Sequence, residues 1–151
     1  MSSDLRFQYP QPLVTPATEQ HTATVIMLHG LGDRGSGWAE IGHGLRMPWC
    51  KFVFPTAPTR PITLNGGYRM TGWYDIASLD KLSDAGDDEE GVRDSVRYVE
   101  SLIDQEVAAG IPSERIVVGG FSQGGAVALM MLRSPRKLAA ILALSTYLML
   151  R

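Results

Sequence analysis

Gly120-Phe121-Ser122-Gln123-Gly124 sets a serine between two glycines at G-x-S-x-G spacing. In a chain with 16 glycines that spacing alone carries little weight. Its setting carries more. The run Arg115-Ile116-Val117-Val118-Gly119 leads into it as a strand, and a helix of small residues leads out. That is the context of a nucleophile elbow, in which a sharp turn holds the serine hydroxyl exposed at the tip of a sheet. Gly120 and Gly124 supply the room that a strained turn and close packing demand. The outgoing helix points its N-terminal dipole at a developing oxyanion. The chemistry implied is attack on an ester-type carbonyl; the plainer reading is a Gly-Ser turn that only joins strand to helix.

A second cluster, His29-Gly30-Leu31-Gly32-Asp33, follows the apolar run Thr24 to Leu28. A loop at this place supplies one backbone N–H of an oxyanion hole, and the residue after the nucleophile, Gln123, supplies the other. Each such donor contributes about 3 kcal/mol in the transition state. Gly30 to Gly35 also matches the dinucleotide fingerprint G-x-G-x-x-G, which expects an acid about 20 residues on, at the end of the next strand. That strand ends Phe52-Val53-Phe54-Pro55 with no acid, and the fingerprint leaves Ser122 unexplained, so nucleotide binding ranks below hydrolysis. His29 is either a base or a residue that fixes the loop by hydrogen bonding, and the second role is the commoner one. His21 and His43 read as surface residues.

These residues need elements to hold them. Thr24–Leu28 and Phe52–Phe54 read as strands buried on both faces. Trp38 to Leu45 reads as a short helix with Ser36 as N-cap. Thr56 to Leu82 reads as a long loop carrying large apolar side chains, a length that usually serves a function. The acidic run Asp84 to Glu90 opens a helix whose apolar stripe is Val92, Val96, Val99, Ile103 and Val107, with Arg93, Arg97, Glu100 and Gln105 outside it. Gly110 and Pro112 end it. The strand Ile116–Gly119, a helix over Gln123–Leu132 and a last strand over Leu138–Leu144 complete the alternation. Strands alternating with helices predict a mostly parallel sheet with helices on both faces.

Composition excludes several classes. The chain is 44% hydrophobic and 20% charged with a net charge of −2, so no basic surface invites nucleic acid. No apolar run approaches the ~20 residues that span a bilayer, and MSSDLRFQYP lacks the apolar core of a signal peptide. Cys50 is the only cysteine; it reads as a small buried thiol, and a cytoplasmic setting is expected.

Four spaced segments resemble the acyl-protein thioesterases of the phospholipase/carboxylesterase group of α/β-hydrolases. They are Leu28 to Asp33, Ala57 to Pro61, Trp73-Tyr74-Asp75 and Gly119 to Gly125. The resemblance runs from about residue 22 to the last residue. It implies an α/β-hydrolase fold and cytosolic hydrolysis, without a cofactor or metal, of thioester-linked palmitate, simple esters and lysophospholipids. By that resemblance Ser122 matches the nucleophile and the amides of Leu31 and Gln123 match the oxyanion hole. Leu64, Met70, Trp73, Ile76 and Leu79 then fall in the loop that lines the acyl-chain groove. A long loop with exposed apolar side chains independently suits a greasy substrate, although Trp73 fits core packing equally well. Two features depart from the family: no cysteine near the N-terminus is available for lipid anchoring, and Tyr147 stands where a tryptophan is frequent.

A hydrolase of this type orders its triad serine, acid, histidine along the chain. After Ser122 the sequence has no Asp, Glu or His; its charges there are Arg133, Arg136, Lys137 and Arg151. The expectation is therefore a loose lead-in over 1–22 and an incomplete α/β-hydrolase domain over 23–151, with the C-terminal strands missing. Loss of a triad costs about 10⁶ in turnover, leaving ~10³ over water from the remaining site, so the chain alone is expected to be nearly inactive. An acylated protein or small acyl ester is the expected substrate, and a second copy or a complementing C-terminal fragment the expected protein partner. The alternative is a non-catalytic module that binds acyl chains or a protein partner.

Overall fold

The computed structural model describes residues 4–80 and 86–150. Its main sheet contains β1 (Leu13–Thr15), β2 (Ala23–Leu28), β3 (Cys50–Phe54), β6 (Ile116–Phe121) and β7 (Ala140–Leu144), in the order β1-β3-β2-β6-β7. All neighbours are parallel except β1, which runs antiparallel to β3. Alternation along β2 divides the core. Ile26 and Leu28 face the helices α2 (Glu89–Ala108) and α3 (Gln123–Met130), while Met27 packs with Phe52, Phe54, Trp38 and Ile41 on the other side. The five-residue α1 (Glu40–Gly44) covers that second face, so helices lie on both faces as the strand–helix alternation predicts.

Several elements differ from the sequence expectation. Ser36 caps nothing: it lies in a 3-10 turn over Gly35–Gly37, and α1 starts only after Ala39. The cause is close packing, because a Cβ on Gly35 would sit 2.2 Å from the Phe54 carbonyl oxygen, which pins this turn to the end of β3. Helix α2 begins after Asp88, whose side chain accepts the Gly91 N–H. Asp84, where the acidic run was expected to open the helix, lies outside the described residues. On α2 the buried face is wider than the predicted stripe. Val92, Val99 and Ile103 are buried, yet Val107 is 41% exposed, while Asp94, Ser95, Tyr98 and Glu106 are buried as well. Each of three of those polar residues has a partner: Asp94 binds the lead-in, Ser95 the Trp73 carbonyl, and Glu106 Thr24 and Lys51.

Residues 4–22, expected to be a loose lead-in, carry β1 and are tied down before it. Arg6 N–H donates to Asp94 at 2.6 Å, and the Tyr9 ring stacks on Tyr98 with centroids 3.8 Å apart. The stretch read as loop after Thr56 contains a hairpin, β4 (Thr59–Ile62) and β5 (Tyr68–Thr71), paired Arg60 to Met70. Gly66 and Gly67, both at positive φ, turn it, and Pro61 is tolerated because only one side of β4 is paired. Among the described residues no helix is long and apolar enough to cross a membrane.

Candidate active site

Strand β6 ends at Phe121 and α3 begins at Gln123, leaving Ser122 alone to turn the chain. It does so at φ +51°, ψ −115°, a region that costs a non-glycine residue about 1–3 kcal/mol. Neighbours hold it there. The Ser122 N–H donates to the Leu144 carbonyl on β7 at 2.9 Å, and the Ser122 carbonyl accepts the Thr146 hydroxyl at 2.6 Å. The flanking glycines permit the turn: a Cβ on Gly120 would fall 2.3 Å from the Gly124 carbonyl group, and one on Gly124 2.4 Å from the Leu28 and His29 carbonyl oxygens. The elbow therefore packs directly on the end of β2.

That contact brings the second cluster to the serine. The Gln123 N–H is the first of α3 and has no acceptor within the helix. Leu31, half-buried, lies in the loop leaving β2. The loop is fixed from the hairpin side, where Gly32 N–H donates to the Thr71 carbonyl at 2.8 Å and the Thr71 hydroxyl to the Asp33 carbonyl at 2.6 Å. The same loop does not open a helix of the kind a dinucleotide fingerprint needs, since only the 3-10 turn and α1 follow it.

His29 is fully buried. Its Nε2 accepts the Ala57 N–H at 2.9 Å, so Nδ1 carries the proton and donates to the Gly30 carbonyl at 2.6 Å. Both ring nitrogens are thus engaged, and burial lowers the imidazole pKa below its usual value. This neutral, doubly bonded ring fixes the loop instead of facing Ser122.

Trp73 is fully buried. Its indole N–H donates to the His29 carbonyl at 2.8 Å, and its ring contacts those of His29, Tyr9 and Tyr98. Ile76 is buried in the main core. Both were expected along an acyl groove, and the structure gives them packing positions because backbone bonds draw residues 73–76 inward. Leu64 and Leu79 are exposed and Met70 half-buried, with Met70 Sδ in van der Waals reach of a Cβ built on Gly32.

Some residues around the serine escaped the sequence reading. Phe121, 39% exposed, has ring atoms beside Gly30 and meets Trp38 at 5.8 Å between centroids. Its place just before the serine was the available signal. The Gln123 side chain, almost fully buried, accepts the Trp73 N–H and donates to the Tyr74 carbonyl. Tyr147 bonds the Tyr74 hydroxyl at 2.6 Å. No local pattern announces either contact, since each joins residues about fifty or more apart.

Comparison with known proteins follows the same lines. The sequence profile of the Phospholipase/Carboxylesterase family matches residues 10–151. A curated acyl-protein thioesterase 1 from Neurospora crassa is 49% identical over 147 residues, covering 92% of this chain and 60% of that protein. One from Cryptococcus neoformans var. neoformans is 51% identical over 133 residues, covering 85% and 56%. The crystal structure of Zea mays acyl-protein thioesterase 2 superposes with a TM-score of 0.80 at 36% identity, over 93% of this chain and 63% of that one. Arabidopsis thaliana SOBER1 gives 0.77 at 34% identity, over 83% and 62%. The chain spans about 60% of the length of these curated relatives.

Proposed function

The chain belongs to the phospholipase/carboxylesterase family and has its α/β-hydrolase fold, and on that footing we propose that it carries the nucleophilic half of a serine thioesterase. In this reading Ser122 Oγ attacks the carbonyl carbon of a fatty acyl thioester or ester. The amides of Leu31 and Gln123 take the charge that builds on the carbonyl oxygen. Leu64, Met70 and Leu79 of the hairpin region, with Phe121 beside the serine, offer apolar surface to the acyl chain. The substrate is an acylated protein or a small acyl ester, and the buried Cys50 thiol suits a reducing cytoplasm. The observation that supports the reading most is the backbone of Ser122, held at φ +51°, ψ −115° in the single-residue turn between β6 and α3, the setting of a nucleophile elbow.

In this reading none of the three histidines, all among the described residues, serves as a base for the Ser122 hydroxyl. His29 has both nitrogens engaged, and His21 bonds Thr24 at the opposite end of β2. His43 sits on α1, across the sheet from α3. With no base to take its proton, Ser122 turns over slowly, by a factor of about 10⁶ relative to a complete triad. The acid and base are expected from a complementing C-terminal fragment or partner.

A fluorophosphonate probe tests this. Ser122 in the chain alone should label slowly or not at all. Supplying the part of the Neurospora crassa relative that this chain does not span, fused or in trans, should produce labelling and thioester cleavage that Ser122→Ala abolishes. Rapid labelling of the chain alone would mean a base is already present, and failure of the fused chain to cleave would remove the hydrolase reading. The exposed Leu79, at 73%, favours a second reading in which the chain binds acyl groups without turnover, and acyl binding retained in Ser122→Ala would support it.

A further inference from the structure

The amides of Leu31 and Gln123, proposed as the oxyanion hole, sit on two different elements, and the exit of the β4–β5 hairpin ties down both. After β2 the chain makes a tight turn, in which the Asp33 N–H donates to the Gly30 carbonyl at 3.2 Å. Gly32 takes the third position of that turn at φ +80° while Leu31 before it stays at negative φ, which is a type II turn. The Gly30 carbonyl oxygen also accepts from His29 Nδ1. Across a planar trans peptide the N–H points away from the C=O, so whatever holds the Gly30 oxygen also aims the Leu31 N–H. That N–H donates to no backbone group among the described residues. Thr71, the buried last residue of β5, fastens the turn at two more points. Its carbonyl accepts the Gly32 N–H at 2.8 Å, which holds the middle peptide in the type II orientation, and its hydroxyl donates to the Asp33 carbonyl at 2.6 Å. Two residues on, the Trp73 N–H donates to Gln123 Oε1 at 2.9 Å.

We propose that Thr71 is a positioning residue for the reaction, whose hydroxyl acts through the Asp33 backbone to aim the Leu31 N–H at the oxyanion. The inference rests on the thioesterase reading, in which that amide is one of the two donors. Donors of this kind help only when they are in place before the charge develops, and a surface turn needs an outside anchor to stay so. The backbone next to Thr71 supplies no substitute, because the Gly72 N–H is spent on the Pro58 carbonyl at 3.1 Å. Without the hydroxyl, the Asp33 end of the turn is free to rotate toward water, and the Leu31 N–H loses its aim. Gln123 keeps its own tie to Trp73, so the two donors respond differently to a change at Thr71.

The test titrates the full 151-residue chain with octanoate, which joins an anionic oxygen to a short acyl chain, and follows backbone amide resonances. In the parent chain octanoate should bind saturably and shift the Leu31 and Gln123 amides together. Thr71→Val keeps the shape and loses the donor. There the Leu31 shift should shrink, the Gln123 shift should persist, and affinity should fall about tenfold. Thr71→Ser, which keeps the hydroxyl, should restore the Leu31 shift and the affinity. A purely structural role for Thr71 would move the two amides alike. An unchanged Leu31 response in Thr71→Val, or equal losses at both amides, would overturn the proposal and leave the thioesterase reading standing. Octanoate that moves neither amide in the parent chain would remove the oxyanion hole itself, and this inference with it. Should Thr71→Val fail to fold, Thr71→Cys, a poorer donor of similar size, takes its place with the same expected outcomes.

Discussion

Gln123 grips the backbone next to Trp73 from both sides of one amide: its Oε1 accepts the Trp73 N–H at 2.9 Å and its Nε2 donates to the Tyr74 carbonyl at 2.7 Å. The same residue begins α3 beside Ser122. One side chain therefore sets the distance between the elbow and the segment that leaves the hairpin. Gln123→Ala would orphan two buried backbone groups, at a cost of at least about 2 kcal/mol. Urea denaturation should show the midpoint fall with an unchanged slope. Gln123→Glu should lose as much at neutral pH, because a carboxylate would face the Tyr74 carbonyl with no proton to offer. An unshifted midpoint in Gln123→Ala would mean that the clamp contributes nothing.

Gly124 should be among the least replaceable residues of the chain. A methyl group there would overlap two carbonyl oxygens of rigid backbone at 2.4 Å, which no side-chain movement relieves. Gly124→Ala is expected to cost about 3 kcal/mol or more. Gly44→Ala, where a Cβ meets nothing within 4 Å, should be close to neutral. Similar midpoints for the two variants would contradict the packing described for the elbow.

Ser122 itself is a source of instability. At φ +51° a glycine is at ease and an alanine is not. Ser122→Gly should therefore be more stable than Ser122→Ala by about 1 kcal/mol, although both lose the nucleophile. Calorimetry of the two variants side by side measures the stored strain directly. Equal melting temperatures would show that the turn is unstrained.

Burial lowers the pKa of His29 from its usual 6.5, and the sign of the pH effect follows. Below about pH 6.5 the unfolded chain takes up a proton that the folded site resists, so acid favours unfolding. The His29 contribution to stability is complete above that pH and is lost as pH falls, at up to about 1.4 kcal/mol per unit. Denaturation midpoints between about pH 7 and pH 5 should fall, and His29→Gln should flatten the decline. An identical slope in that variant would assign the acid sensitivity to another group.

The elbow was legible in the sequence because its constraint is local: a serine at positive φ needs small neighbours two residues either way, and Gly120 and Gly124 announce them. Strands β2, β3, β6 and β7 were legible as strands, though not in their order, because each is a short apolar run bounded by turn residues. The β4–β5 hairpin was not, because Pro61 and Gly66-Gly67 read equally well as punctuation in a loop. Trp73 was ambiguous for a different reason. Its role depends on Tyr9, His29 and Tyr98, which converge from three distant segments, and an indole carries no mark of which neighbours it will meet. The Arg60–Asp88 contact was equally invisible, being a pairing between a hairpin strand and the cap of α2.

The backbone of Ser122 is moored to the Leu144 carbonyl on β7 and to the Thr146 hydroxyl just past it. Among the described residues β7 is an edge strand, with Leu142 and Leu144 both more than 40% exposed. Edge strands fray before central ones. Whenever β7 peels away, the serine loses the mould that keeps its φ positive and can relax to an ordinary turn while the rest of the sheet stays folded. The nucleophile is thus only as well set as the outermost strand, and whatever docks beside that strand tightens the reactive group at its far end.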